Sequence, residues 1–200
     1  DQVFAYAAQA MADGFYDAGD FKTAAVYLLV YINTSVKLED LKTDPPRLFS
    51  IIKRLIEGER YKDSERFVKL FEEVGAANPD LQRQLLILNA LRLEKQEKLA
   101  EAIEVRERYA KEFEDRGANE DDPYNRRELA ELYLKREARP QFKDYEKADL
   151  HYRVALGMMK NRVDADKSLE KTFFRWMLRF CELKLRIGDA GQPAAYGDVI

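Results

Sequence analysis

The sequence predicts an all-α fold, built as a right-handed superhelical α-solenoid of antiparallel helix hairpins. Three observations carry that prediction. Ala, Glu, Lys, Leu and Arg supply half of the 200 residues, against only 9 Gly and 6 Pro, which is the composition of long helices. Apolar residues recur at intervals of three and four along nearly the whole chain, the period of an amphipathic helix. The same helix–turn–helix pattern then returns several times, as it does in repeat architectures whose units cannot cover their own apolar faces. Val, Ile and Thr are too sparse for a sandwich or barrel. A hydrophobic content of 46% with 12% aromatics supports a sizeable core and argues against disorder.

Taken in order, a first helix over 3–16 carries Phe4, Ala7, Ala8, Met11, Ala12 and Phe15 at helical spacing. Ala18-Gly19-Asp20 breaks it, and Asp20 is a suitable cap for a second helix over 21–33 with Ala24, Ala25, Leu28, Tyr31 and Ile32 on its apolar side. Residues 34–44 read as a loop. A second hairpin joins helices over 46–57 and 60–74 through a turn at Glu59, and Gly75 with Asn78-Pro79 stops it. Helices over 80–95 and 99–113 form a third pair, followed by a polar loop over 115–122. Helices over 123–137 and 145–160 form a fourth, interrupted by an extra loop over 138–144. A long helix over 165–187 ends at Gly188-Asp189, and 193–200 reads as the start of its partner. The repeats are thus 3–33, 46–75, 80–113, 123–160 and 165–200, the last incomplete, in one helical-repeat domain over 1–200. With no initial Met and no polar cap at its end, the chain reads as a piece of a longer polypeptide.

Aligned on their turns, the hairpins share residues. The first has Met11-Ala12-x-x-Phe15, Gly19, then Phe21-x-x-Ala24-x-x-x-Leu28-x-x-Tyr31. The second has Ile51-Ile52-x-x-Leu55, then Tyr61-x-x-Ser64-x-x-x-Val68-x-x-Phe71. The third has Ala90-x-x-Leu93, then Leu99-x-x-Ala102 and Tyr109, and the fourth Ala130-x-x-Tyr133, then Tyr145-x-x-Ala148-x-x-x-Tyr152-x-x-Ala155. This pattern resembles the tetratricopeptide repeat over nearly the whole chain. Small residues at Ala12, Ala90 and Ala130, and at Ala24, Ala102 and Ala148, let helices approach closely while aromatics fill the wedges. The chain departs from the family in unit length. Ala24, Ser64, Ala102 and Ala148 lie 40, 38 and 46 residues apart, against about 34 for the family, so another helical solenoid with longer units is the rival reading.

Chemistry is sparsely signalled. His151 is the only histidine and Cys181 the only cysteine. No internal disulfide is possible, no transition-metal ligand set is spaced along the chain, and His151 is expected to pack rather than catalyse. The acidic pairs Glu72-Glu73 and Asp121-Asp122 are adjacent in sequence, and adjacent helical residues do not face one another. No phosphate-cradling or dinucleotide fingerprint occurs. The expectation is therefore a chain that is not an enzyme and carries no cofactor or metal. With 34 basic against 37 acidic residues and a net charge of −3, it lacks the basic excess of nucleic-acid binders. Arg126-Arg127 and Lys135-Arg136 are flanked by Glu and read as salt-bridged helix faces, with helical-repeat RNA binding a distant third reading. No apolar run is long enough to span a membrane.

The resemblance implies a protein-binding module whose concave groove is lined by the first helix of each pair. The matching positions are Tyr6, Gln9, Asp13 and Tyr16 in the first repeat and Phe49, Lys53 and Ile56 in the second. The third adds Gln84, Ile87 and Leu91, and the fourth Tyr124, Arg127 and Glu131. Tyr, Phe and mixed charge suit an extended peptide or a helix of a partner. The clamp with which chaperone-binding members hold a terminal carboxylate is absent, since Gln9, Asp13, Gln84 and Leu88 occupy its positions. The final helix holds Phe173, Phe174, Trp176, Met177, Phe180 and Cys181, which read either as buried against neighbouring helices or as a surface for self-association. The alternative function is a regulatory helical-repeat region of a larger enzyme whose catalytic domain lies outside this chain.

Overall fold

A computed structural model describes residues 2–114, 122–135 and 142–189, and within them every regular element is helical. The ten α-helices among the described residues are α1 (Gln2–Asp17), α2 (Phe21–Ser35), α3 (Leu38–Lys42), α4 (Pro45–Glu57), α5 (Tyr61–Gly75), α6 (Pro79–Lys95), α7 (Leu99–Glu114), α8 (Pro123–Lys135), α9 (Phe142–Ala165) and α10 (Glu170–Asp189). A short 3₁₀ turn over Lys167–Leu169 precedes α10. The all-α expectation holds for these residues. Residues 115–121 of the expected loop over 115–122, residues 138–141 of the loop over 138–144, and the helix start over 193–200 lie outside the described residues. The chain divides into two compact units, residues 1–105 and 106–200.

In the first unit successive elements pack in series: α1 on α2, α2 on α4, α4 on α5 and α6, and α5 on α6. Three turns build it, and they are alike. Asp20 N–H donates to the Phe15 carbonyl, Arg60 to Leu55 and Lys98 to Leu93, each at 2.8–2.9 Å. The residue before each donor, Gly19, Glu59 and Glu97, has a φ of 82°, 60° and 60°. This is one left-handed helix stop, with its six-to-one backbone bond, used three times. Asp20 then caps α2 through Thr23 N–H, Asp44 caps α4 through Arg47 N–H, and Asn78 caps α6 through Asp80 N–H. Pro45 and Pro79 occupy first-turn positions where no N–H is missed.

The small residues of the repeat pattern are all sealed inside: Ala12, Ala24, Ala90, Ala102, Ala130 and Ala148 are at most 1% exposed. Ser64, where the pattern has Ala elsewhere, is also buried and hides its hydroxyl by donating to the Tyr61 carbonyl at 2.7 Å. The core of the first unit gathers Leu28, Ile32, Leu48, Ile52, Leu55, Phe67 and Phe71. Residues 34–44 differ from the expected loop. They form the single-turn helix α3, whose Leu41 is completely buried against α4 and α5. The excess length of the first repeat is thus a plug for the core, held there by the apolar gain of one leucine.

In the second unit α8 packs on α9 and α9 on α10. Leu129, Ala130, Leu132, Tyr133, Ala148, Tyr152 and Ala155 are buried, and Met159, Val163 and Trp176 close the far end. α9 starts at Phe142, three residues before the helix start read from the sequence, and Asp144 in its first turn is buried.

Candidate functional site

α1 and α4 carry corresponding faces of the first two hairpins, and a cleft of about 560 Å³ opens between them. Its walls are Asp13, Tyr16 and Asp17 from α1 and Phe49, Ser50, Lys53 and Arg54 from α4. Four of these, Asp13, Tyr16, Phe49 and Lys53, are groove positions implied by the repeat resemblance. On α1, Asp13 lies three and four residues from Tyr16 and Asp17, and on α4 Phe49 lies four residues from Lys53 and Ser50 four from Arg54, the spacings of helix-surface neighbours.

Arg54 ties the floor together. Its guanidinium donates to Asp13 Oδ1 and to the Ala12 carbonyl, both at 2.7 Å, and lies 4.6 Å from the centre of the Tyr16 ring. The planar fork satisfies a carboxylate and a helix carbonyl at once, and its flat face stacks on the aromatic. Arg54 Nε is buried and makes no hydrogen bond to the described residues. Tyr16 donates its hydroxyl to Glu57 Oε2 at 2.7 Å and meets Phe21 edge-on at 5.2 Å. Burial first, and then that bond to the carboxylate, push the Tyr16 phenol up to about 12, so it stays protonated and donates at neutral pH. Phe49 leans on the core beside Phe71, with ring centres 6.2 Å apart. Above this fixed floor Asp17 and Ser50 are exposed, and the Lys53 ammonium, 3.9 Å from Glu57, keeps 44% of its side chain in solvent. Among the described residues the cleft thus offers an aromatic base, the exposed Asp17 carboxylate and the partly exposed Lys53 ammonium. Among the described residues lining it, no aliphatic hydroxyl nucleophile is hydrogen-bonded to a base.

The other sequence-derived positions lie elsewhere. Tyr6, 68% exposed, and Gln9, half-buried, sit earlier on α1 and do not line the cleft. Ile56, with Leu88, lines a separate hollow of about 290 Å³ between α4, α5 and α6. Leu91 packs on the core of the first unit, and Gln84 and Ile87 are half-buried on α6. In the second unit α10 engages all three candidates of α8. Tyr124 meets the Trp176 ring edge-on at 5.1 Å, and the Arg127 guanidinium lies 5.5 Å from the same ring. Glu131 accepts from Arg179 Nε at 2.9 Å and Nη2 at 3.2 Å, and from the Tyr152 hydroxyl. Burial pushes the Glu131 carboxyl up, but those hydrogen bonds outweigh it and hold it below its ordinary value.

The sequence reading missed Asp17, Ser50 and Arg54. One signal was present: Asp13 and Arg54 occupy near-equivalent places on successive first helices, 41 residues apart, and carry opposite charge. His151 is buried, stacked on Tyr133 at 5.9 Å, with Nδ1 3.4 Å from Arg126. Among the described residues no group of three His, Cys, Asp or Glu converges to hold a metal ion, and no helix is long and apolar enough to cross a membrane. Compared with known proteins, the chain matches no family model and no curated sequence.

Proposed function

We propose that this chain is a non-catalytic helical-repeat module, of the tetratricopeptide type, which binds a peptide or helix of a partner protein in the concave groove of a right-handed solenoid. The observation that carries the reading is the α1–α4 cleft, where side chains from two helices some forty residues apart come together as one aromatic-floored, mixed-charge surface. Repetition of the same left-handed turn and burial of every small residue of the pattern support the repeat reading. Asp17 and Lys53 select a segment with complementary charges, and Tyr16 and Phe49 supply apolar contact.

The test selects peptides from a random library on the immobilised chain and measures their affinity by fluorescence anisotropy. Reversing the two solvent-facing charges, Asp17→Lys and Lys53→Glu, touches no core residue. These changes are expected to weaken the selected peptides about tenfold or more, for roughly 1–2 kcal/mol of lost complementarity, with helical circular dichroism unchanged. Unaltered affinity in both variants places binding elsewhere and overturns the reading.

A further inference from the structure

α10 is apolar on two faces. Trp176, Leu183 and Ile187 point inward and are buried. Phe174, Leu178 and Leu185 point outward and are 54%, 67% and 53% exposed, and the half-buried Cys181 lies between them. Residues 174, 178, 181 and 185 follow the alternating four- and three-residue spacing of a coiled-coil seam. A helix apolar on both sides is one that expects cover on both. Along one flank of this seam stand Arg175 and Glu182, a heptad apart and both exposed. Arg175 has no carboxylate partner among the described residues. Glu182 receives a hydrogen bond from Arg179 at 2.8 Å, and 59% of its side chain remains in solvent. The opposite flank carries Met177 and Lys184, and Lys184 is buried against Asp149 of α9 at 2.6 Å.

We infer that the outer face of α10 pairs with the α10 of a second copy of this chain, antiparallel about a two-fold axis. Only an antiparallel pair brings the open flank of one helix against the open flank of the other; a parallel pair sets it against the flank closed by Lys184. In that arrangement Phe174 stacks over Leu185 of the second copy and Leu178 over Cys181 of the second copy. Symmetry repeats both layers. Arg175 then faces Glu182 of the second copy, also twice, so the charge order is complementary to itself, as an isologous interface requires. The seam spans three helical turns, at the small end of specific interfaces, so the dimer is reversible and concentration-dependent. This inference concerns the second unit alone and does not rest on the cleft of the first.

Sedimentation equilibrium over a concentration series tests it. The wild-type chain is expected to move from the monomer mass toward twice that mass as concentration rises, and Leu178→Asp is expected to stay monomeric throughout. Arg175→Glu and Glu182→Arg each replace two attractions by two repulsions and are expected to raise the dissociation constant about tenfold. The double variant Arg175→Glu/Glu182→Arg restores both pairs and is expected to return the constant to near wild type, all with unchanged circular dichroism. A wild-type chain that remains monomeric at every concentration, or a double variant no better than the single ones, overturns the inference.

Discussion

Gly58 lies at the end of α4 with φ −82° and ψ 10°, a conformation open to any residue. On backbone grounds alone, Gly58→Ala would stabilise the fold by about 0.4–1 kcal/mol, by narrowing the unfolded ensemble. The packing reverses that sign. A Cβ built there lies 2.4 Å from Ala25 Cβ and 2.6 Å from the Phe21 carbonyl oxygen. Both belong to the first turns of α2, and Ala25 is fully buried, so relief needs the two helices to part by about 1 Å, a shift of backbone rather than of a flexible tip. Overpacking of this kind costs about 1–3 kcal/mol, which leaves a net loss of roughly 1–2 kcal/mol. Urea unfolding followed by circular dichroism reads it as a midpoint lowered by about 1 M for a slope near 1–2 kcal/mol/M. Gly14→Ala is the internal control. Nothing lies within 4 Å of its added Cβ, and alanine in an exposed helix interior gains about 0.5–1 kcal/mol. If Gly58→Ala raises the midpoint as Gly14→Ala does, the close approach of α2 and α4 is not what holds the hairpins together.

Two further outcomes are expected. Glu59→Gly relieves an L-residue held at φ 60°, worth about 1–2 kcal/mol, and gives up an exposed pair with Lys22 of little value; the melting temperature is expected to rise by a few degrees, and a fall refutes the account of the turn. The Glu131 carboxyl is held below its ordinary 4.5 in the folded state, so its contribution is present above that value and is lost as pH falls through the lowered one. Glu131→Gln is therefore expected to unfold at a less steeply pH-dependent denaturant midpoint below about pH 4.5, with wild type and variant converging in strong acid; parallel profiles refute the linkage.

Helix positions were legible because the three-and-four spacing of apolar residues is set by the helix itself; Asp20 announces itself chemically as a cap, whereas Asn78, read with Pro79 only as a breaker, also caps α6. α3 was not, because a single turn such as Leu38–Lys42 has too few residues to show a period, and its role depends on where Leu41 lands in three dimensions. Glu59 and Glu97 likewise hide left-handed turns that a glycine would have advertised at Gly19. For the site, the positions on α1 and α4 align between repeats, and that alignment points to Asp13, Tyr16, Phe49 and Lys53. The role of Arg54 was not visible, since a guanidinium that bridges a carboxylate and a carbonyl looks like any surface arginine until both partners are placed. Tyr124, Arg127 and Glu131 looked equally open from α8 alone, and their contacts with Trp176 and Arg179 on α10 depend on tertiary packing.

The thrice-used left-handed turn also bears on how the chain folds. Each reversal is closed by a backbone bond spanning five residues, so almost no loop entropy stands between one helix and the helix that packs on it. Contacts so near in sequence form fast. Such a reversal recurs after 40 and then 38 residues, so each lies well upstream of the next along the chain. The local contacts that close each hairpin of the first unit are therefore complete in sequence before the residues of the following hairpin are reached.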